Sequence, residues 1–360
     1  MPKSNDRKAQ DVIKRKEEGI QVVLGQRVQA RESTTLLECV HLLHNALPEL
    51  NMDEIDIATS FLGHKLKAPI VVDSMTGGAP MAEKVNGTLA LVAEEMGFAM
   101  GVGSQRAGLL SGAMAKTYAV ARKNAPSIFL FANIGGAQLA KGFSLDDAKK
   151  LIEMIRADAL AIHLNPLQEV VQPEGEPIFK GVLDRIHDFS KNLGVPIIVK
   201  EVGAGIGTDV AVKLELAGVK AINVSGSGGT SWAAVEKFRA EKRAMEGKAS
   251  LGDLFWDWGI PTAAALIGVK RTVSLPVIAS GGLRNGLEVA KCISLGADAC
   301  GMASPMLKHA AQGRAVLTTF AKKVLDELRT TMFITGSKNL EALRSVRKVV
   351  TPPLTYWQNT

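Results

Sequence analysis

The sequence predicts an α/β protein built as a closed (β/α)₈ (TIM) barrel, with an N-terminal extension and a long insertion after strand 6. Three observations predict it. From residue 68 onward one pattern recurs eight times: a short apolar run, a corner rich in Gly, Ser or Asn, then an amphipathic helix. The apolar runs are near-continuous rather than alternating, which marks strands covered on both faces and hence a parallel sheet. Eight such units fill roughly 250 residues, the length of a closed barrel.

Taken in order, residues 1–67 form the extension, with a basic, helix-like start from Arg7-Lys8 to Glu18 and later strand- or loop-like pieces such as Ile55-Asp-Ile-Ala. The barrel spans 68–330. Its first three runs are Ala68-Pro-Ile-Val-Val, Phe98-Ala-Met-Gly-Val and Ile128-Phe-Leu-Phe-Ala. Ala159-Leu-Ala-Ile-His, Pro196-Ile-Ile-Val-Lys and Val219-Lys-Ala-Ile-Asn-Val follow, then Pro276-Val-Ile-Ala-Ser and Ala297-Asp-Ala-Cys-Gly-Met. Between the strands, Ala82 to Glu95 spaces Val85, Leu89 and Val92 for one helical face, with Met96 continuing it, and Leu145 to Arg156 does the same with Leu151, Ile152 and Ile155. Asp146 and Asp147 sit where that second helix's dipole favours them. The charged segment 230–259, ending Phe255-Trp-Asp-Trp-Gly, is an insertion at the rim, read as a lid or else as a solvated excursion or oligomer contact. Residues 331–360 form a C-terminal segment. An open doubly wound sheet is the alternative. It would carry its phosphate fingerprint on the first strand, where Asp73-Ser-Met-Thr-Gly-Gly does not match, and the glycine-dense corners instead follow strands six to eight.

Composition narrows the function classes. Hydrophobic residues at 46% and charged residues at 22% exclude disordered and coiled-coil chains. With 43 Lys plus Arg against 36 Asp plus Glu the net charge is only +7, and no dense basic block appears. That suits an anionic small molecule and argues against nucleic acid. Cys39, Cys292 and Cys300 make neither a metal spacing nor a disulfide framework, and the polar start lacks a signal peptide. No apolar run approaches ~18 residues, so no membrane span is expected and the cytoplasm is the expected location.

In such a barrel the chemistry sits where strands end. Ser280-Gly-Gly-Leu-Arg-Asn-Gly after strand seven and Gly301-Met-Ala-Ser-Pro after strand eight read together as a phosphate cup, although Gly-Gly alone also serves ordinary tight turns. Lys200 ends an apolar strand, so its ammonium needs an anionic partner: a reduced flavin edge, a Schiff-base substrate, or a rim carboxylate such as Glu201. His163-Leu-Asn-Pro-Leu-Gln-Glu places an imidazole, two amides and a carboxylate in seven residues. Amides and imidazole suit diphosphate oxygens, and the carboxylate of Glu169 suits a Mg²⁺ that bridges to them. Arg106, in Gly103-Ser-Gln-Arg, adds a bidentate cation. Arg7-Lys8 alone reads as a solvated terminus.

These runs, with Ser74-Met-Thr-Gly-Gly, Asn133-Ile-Gly and Ser227-Gly-Gly-Thr-Ser-Trp, resemble the type 2, FMN-dependent isopentenyl-diphosphate isomerases, in the right order over nearly the whole chain. The resemblance implies that Ser74, Met75, Thr76, Ser104 and Asn133 hold the flavin ring region and that Lys200 meets its electron-rich edge. Ser225 and Thr230 would touch the ribityl or phosphate end, while Gly282, Leu283, Arg284, Ala303 and Ser304 cradle the phosphate. Arg7, Lys8, Ser104, Gln105, Arg106, His163, Asn165 and Gln168 would bind the substrate, so the extension contributes to the substrate site. Glu169 would ligate Mg²⁺, and Trp232 and Glu236 would act from the lid. One departure stands out: where the family reads Arg-Lys-x-x-His, this chain has Asp11, whose charge would repel a diphosphate.

The implied reaction interconverts isopentenyl and dimethylallyl diphosphate with no net redox change, in isoprenoid biosynthesis. It uses reduced FMN and Mg²⁺, with NADPH keeping the flavin reduced. Flavin N5 or the Gln168 amide would shuttle a proton, with His163 and Glu236 as further catalytic groups. Family members form homotetramers or homo-octamers. Two alternatives stand beside this reading. An FMN-dependent hydroxy-acid oxidase or dehydrogenase would want tyrosines in the pocket and a His after strands five to seven, whereas the chain has only Tyr118 and Tyr356 and no such His. A non-catalytic phosphate-ligand binding protein would explain the glycine cup but not Lys200 with the His163–Glu169 run.

Overall fold

The computed structural model describes residues 4–359, with side chains for residue 10 and residues 12–357. Its centre is a closed barrel of eight parallel strands: β1 (Ile70–Val72), β2 (Ala99–Gly101), β3 (Leu130–Gly135), β4 (Ala159–His163), β5 (Ile197–Lys200), β6 (Ala221–Asn223), β7 (Val277–Ser280) and β8 (Ala299–Met302). Each strand pairs with the next in sequence, and Cys300–Met302 return to pair with Ile70–Val72. Every strand residue is buried except His163, half-buried where β4 ends. That burial is what near-continuous apolar runs require.

Outside lie α1 (Ser4–Gly25) from the extension and the barrel helices α2 (Pro80–Met96), α3 (Gly112–Asn124), α4 (Leu145–Ile155), α5 (Pro166–Val171), α6 (Val182–Asn192) and α7 (Thr208–Leu216). The insertion is two helices, α8 (Trp232–Glu241) and α9 (Glu246–Leu254). After it come α10 (Thr262–Thr272), α11 (Gly286–Ser294), α12 (Ser304–Gln312) and α13 (Arg314–Ile334). Local chemistry sets the ends. Ser144 and Asp147 form a reciprocal capping box at the start of α4, and Arg156 closes it in the left-handed region at φ 46°. The barrel boundary expected at residue 330 falls inside α13, whose buried face carries Leu328, Thr331 and Met332 across that point. No helix of the described residues is long and apolar enough to cross a membrane.

The two ends of the barrel differ. At the base the interior is lined by alanines (Ala99, Ala159, Ala161, Ala221, Ala299), which leave room for Phe129 and Phe131. A hairpin from the extension, Thr59–Phe61 paired with His64–Leu66, inserts Phe61 and Leu66 into the same cluster. The Phe61 ring meets Phe129 edge-on at 5.9 Å. Below β3 and β4, the buried Arg122 donates to the carbonyls of Ala125, Ile128 and Arg156 and to Asp158 at 2.7 Å. Asp158 in turn accepts from Leu130 N–H.

Removing that guanidinium leaves the Asp158 carboxylate with Leu130 N–H but without its cation, and takes a donor from several carbonyls. Arg122→Met is expected to lower unfolding free energy by about 3–5 kcal/mol, read from the urea midpoint, far from the strand C-termini.

Candidate active site

The strand C-termini open into one cavity. It gathers Ser74, Met75 and Thr76 after β1, Ser104 and Arg106 after β2, Asn133 on β3, and His163, Asn165, Gln168 and Glu169 after β4. Lys200 joins from β5, Ser225 and Thr230 from beyond β6, Gly282, Leu283 and Arg284 from beyond β7, and Ala303 and Ser304 from beyond β8. Trp232 and Glu236 of α8 form part of the wall. Barrel closure alone brings together residues up to 230 positions apart, from Ser74 to Ser304.

Its floor is a polar network. Lys200 Nζ donates to the Glu201 carbonyl at 2.6 Å and lies 3.8 Å from Asp73 Oδ1. Asp73 also accepts from Asn223 Nδ2 at 3.1 Å, and Asn223 Oδ1 accepts from Ser280 Oγ at 2.6 Å. Lys200 thus has an anionic neighbour, but it is Asp73 rather than Glu201. The Glu201 carboxylate turns away and accepts from the N–H groups of Val202, Gly203, Ala204 and Gly205.

Above the floor the glycine corners make a cradle. Gly281 and Gly282 adopt φ +96° and +83°, which favours glycine. A Cβ on Gly229 would strike the Gly282 backbone, so the two corners lie in direct backbone contact. The N-terminus of α12 begins beside them at Ala303-Ser304. Arg284 sits at this edge, with Nη2 on Gln29 Oε1 at 2.5 Å. Opposite, the buried Ser74 Oγ and Thr76 Oγ1 have no protein partner. An elongated ligand with phosphate at one end and hydrogen-bonding ring atoms at the other fits this donor set.

The third wall is the His163 run. His163 Nδ1 lies 2.8 Å from Asn133 Oδ1, an acceptor, so Nδ1 carries the hydrogen and Nε2 is left as the acceptor. Burial, reinforced by Lys200 and Lys16, pulls the imidazole down to about 3. Asn165 Nδ2 donates to Gln168 Oε1 and to Glu169 Oε1, both at 3.1 Å, and Glu169 Oε2 accepts from Glu176 N–H. Gln168 Nε2 donates to Glu236 Oε1 at 2.9 Å. Burial pushes the Glu236 carboxyl up, opposed by Arg239. Among the described residues no cluster of three or more His, Cys, Asp or Glu could hold a metal by itself. A cation at Glu169 therefore needs ligand oxygens and water as well.

One expected ligand turns its side chain away from the cavity. Gln105 is fully buried outside the cavity, its Nε2 donating to Leu151 O and its Oε1 accepting from Asn133 N–H. Both ends of the side-chain amide are occupied in bracing β3 against α4. Arg7 and Lys8 lie on α1, but their side chains, like that of Asp11, fall outside the described residues. Among the described residues, the α1 cations that line the cavity are Arg15 and Lys16. Burial, with Arg15 and Arg106 nearby, pulls Lys16 down to about 7. The run Lys14-Arg15-Lys16 was their one signal in the sequence.

Comparisons with known proteins agree with this architecture. Residues 142–349 match the FMN-dependent dehydrogenase family. The chain is 46% identical over 338 residues to an isopentenyl-diphosphate delta-isomerase of Methanosarcina barkeri, covering 94% of this chain and 92% of that one. It is 46% identical over 331 residues to the enzyme of the same name from Nostoc sp., covering 92% and 93%. A lactate oxidase structure from Pediococcus acidilactici superposes with a TM-score of 0.64 at 16% identity, covering 97% of this chain and 94% of that one, a likeness of fold alone.

Because His163 titrates well below its ordinary 6.5, the unfolded chain binds a proton there before the folded chain does. Stability contributed by this site therefore falls as pH drops from about 6.5 toward 3. His163→Gln is expected to lose less stability than the parent between about pH 7.5 and 5 by denaturant midpoint, and the parent imidazole to remain neutral by NMR at about pH 5.

Proposed function

The chain belongs to the type 2, FMN-dependent isopentenyl-diphosphate delta-isomerases, and from that premise we propose how its cavity divides the work. Isopentenyl and dimethylallyl diphosphate differ by the position of one double bond. A proton joins the terminal methylene and another leaves the carbon next to the alcohol-bearing one. The observation that carries the reading is that the glycine cradle, the buried Lys200 and the Gln168–Glu236 pair all open into a single cavity.

The cradle at Gly229, Gly281, Gly282 and the start of α12 suits the FMN phosphate, with Arg284 at its edge. Ser74 Oγ and Thr76 Oγ1, buried and unpartnered, suit polar atoms of the flavin ring, and Lys200 supplies positive charge from the floor. Reduced FMN, when bound, supplies electron density beside the carbon that becomes cationic in the transition state.

The chain's own residues do the rest. Arg15, Lys16 and Arg106 form the cationic rim that receives the diphosphate. Asn165 offers an amide to the same oxygens. His163 Nε2 serves a diphosphate oxygen as a donor once the arriving anion brings a proton onto it. Glu169 would hold a Mg²⁺, which would neutralise charge on the diphosphate. Ile20, Val23, Met75 and Trp232 enclose the isoprenoid carbons and exclude water. Gln168 Oε1 takes the proton leaving the substrate carbon as its Nε2 passes one to Glu236 Oε1, along the bond at 2.9 Å, and reversal of the same movements restores the amide and delivers the proton that joins the terminal methylene. NADPH is the reductant that maintains the flavin, and a homotetramer or homo-octamer is the assembly. Among the described residues no tyrosine lines the cavity, which sets the site apart from a hydroxy-acid oxidase's.

Incubation with isopentenyl diphosphate, FMN, Mg²⁺ and NADPH, each omitted in turn, is the direct test; dimethylallyl diphosphate formed equally without flavin would overturn the reading. Gly229→Ala is expected to cost the purified protein its yellow colour, since the new methyl occupies the space where the two corners meet. Lys16 loses its charge as pH rises through about 7. The KM for isopentenyl diphosphate should therefore climb above neutrality, and Lys16→Met should flatten that climb.

A further inference from the structure

The cavity wall contains an arginine with no role so far. Arg239 lies on α8 one turn beyond Glu236, with its side chain only 1% exposed. Carboxylates from three elements occupy its fork. Nη1 donates to Glu236 Oε2 at 2.5 Å, Nη2 to Glu174 Oε1 after α5 at 2.7 Å, and Nε to Glu18 Oε2 on α1 at 3.3 Å. Arg243, one turn further and more exposed, holds the same Glu18 and Glu174 at 3.0 and 2.5 Å.

A buried guanidinium is a costly way to brace a fold, because apolar residues of similar volume brace as well or better. What they cannot do is orient a carboxylate. With Oε2 pinned by Arg239, Glu236 has only Oε1 to offer, and that oxygen faces Gln168 Nε2. The other charges around Glu236 are Glu174 from the loop after α5, Glu18 and Arg15 from α1, and Arg106 after β2. Among these, Arg239 is the cation in direct contact with Glu236, and it opposes the upward push of burial on that carboxyl.

We propose that Arg239 is a positioning residue for the isomerisation: it aims one oxygen of Glu236 at the Gln168 amide and, through Glu18, makes that aim depend on α1 being seated. The inference rests on the reading that Gln168 and Glu236 carry a proton. Lysine at 239 keeps the charge but cannot span three carboxylates as a planar fork does.

The test compares holoenzyme variants by steady-state isomerisation across pH, with melting temperature followed in parallel. In Arg239→Lys, kcat is expected to fall about tenfold with KM held within about threefold, because the relay loses its aim while the substrate keeps its ligands. The triple variant R239Q/E18Q/E174Q removes the other two carboxylates that would be stranded. In it the acid limb of kcat should move up by about one pH unit. Its melting temperature should rise as pH falls, since Glu236 without its cation is best tolerated protonated. Wild-type kcat and acid limb in Arg239→Lys, alongside lost activity in Glu236→Gln, would overturn the positioning role alone. Full activity in Glu236→Gln would overturn the proton relay itself, and this inference with it.

Discussion

Parallel closure of eight strands is the constraint from which the rest of the molecule follows. Each strand is hydrogen-bonded on both sides and buried on both faces, so a polar side chain finds room only where a strand stops. The base and the rim then take separate duties. At the base, Arg122 with Asp158 satisfies the backbone below β3 and β4, and alanines with phenylalanines fill the interior. At the rim, each of the eight corners contributes at least one residue to the same cavity.

Electrostatics at the rim separate two kinds of buried cation. Arg239 is saturated by carboxylates and belongs to the wall. Lys200, Lys16 and Arg15 face the cavity instead, and burial pulls Lys16 and Arg15 below their ordinary values. A site that turns buried cations toward its cavity is prepared for an anion, and a flavin phosphate, a reduced ring edge and a diphosphate are all anionic. His163 is kept neutral chiefly by burial, and the same field from Lys200 and Lys16 reinforces it.

Much of this was legible in the residues. The strand runs are long, apolar and punctuated by glycine, so the barrel and its order could be read directly, and so could the corners that face inward. Gln105 shows where that reading stops. At a strand end an amide looks the same whether it faces a ligand or, as here, the backbone of the next layer, and only three-dimensional packing distinguishes the two. Arg15 and Lys16 show the converse: a basic run on an N-terminal helix reads as a solvated face until the helix is found lying on the cavity. The insertion was recognisable by its charge, yet that Arg239 joins two distant acids, Glu18 and Glu174, to its neighbour Glu236 depends on α1, α8 and the segment after α5 meeting, which no local pattern encodes. Asp73 went unremarked because its partner, Lys200, lies 127 positions away.

The hairpin that carries Phe61 and Leu66 has an effect on traffic. With those side chains stoppering one end, the barrel is a well with a single mouth, and α1 and α8 stand over that mouth. Whatever occupies the bottom must go in first and come out last. A group bound at the bottom would have to leave past anything bound nearer the mouth.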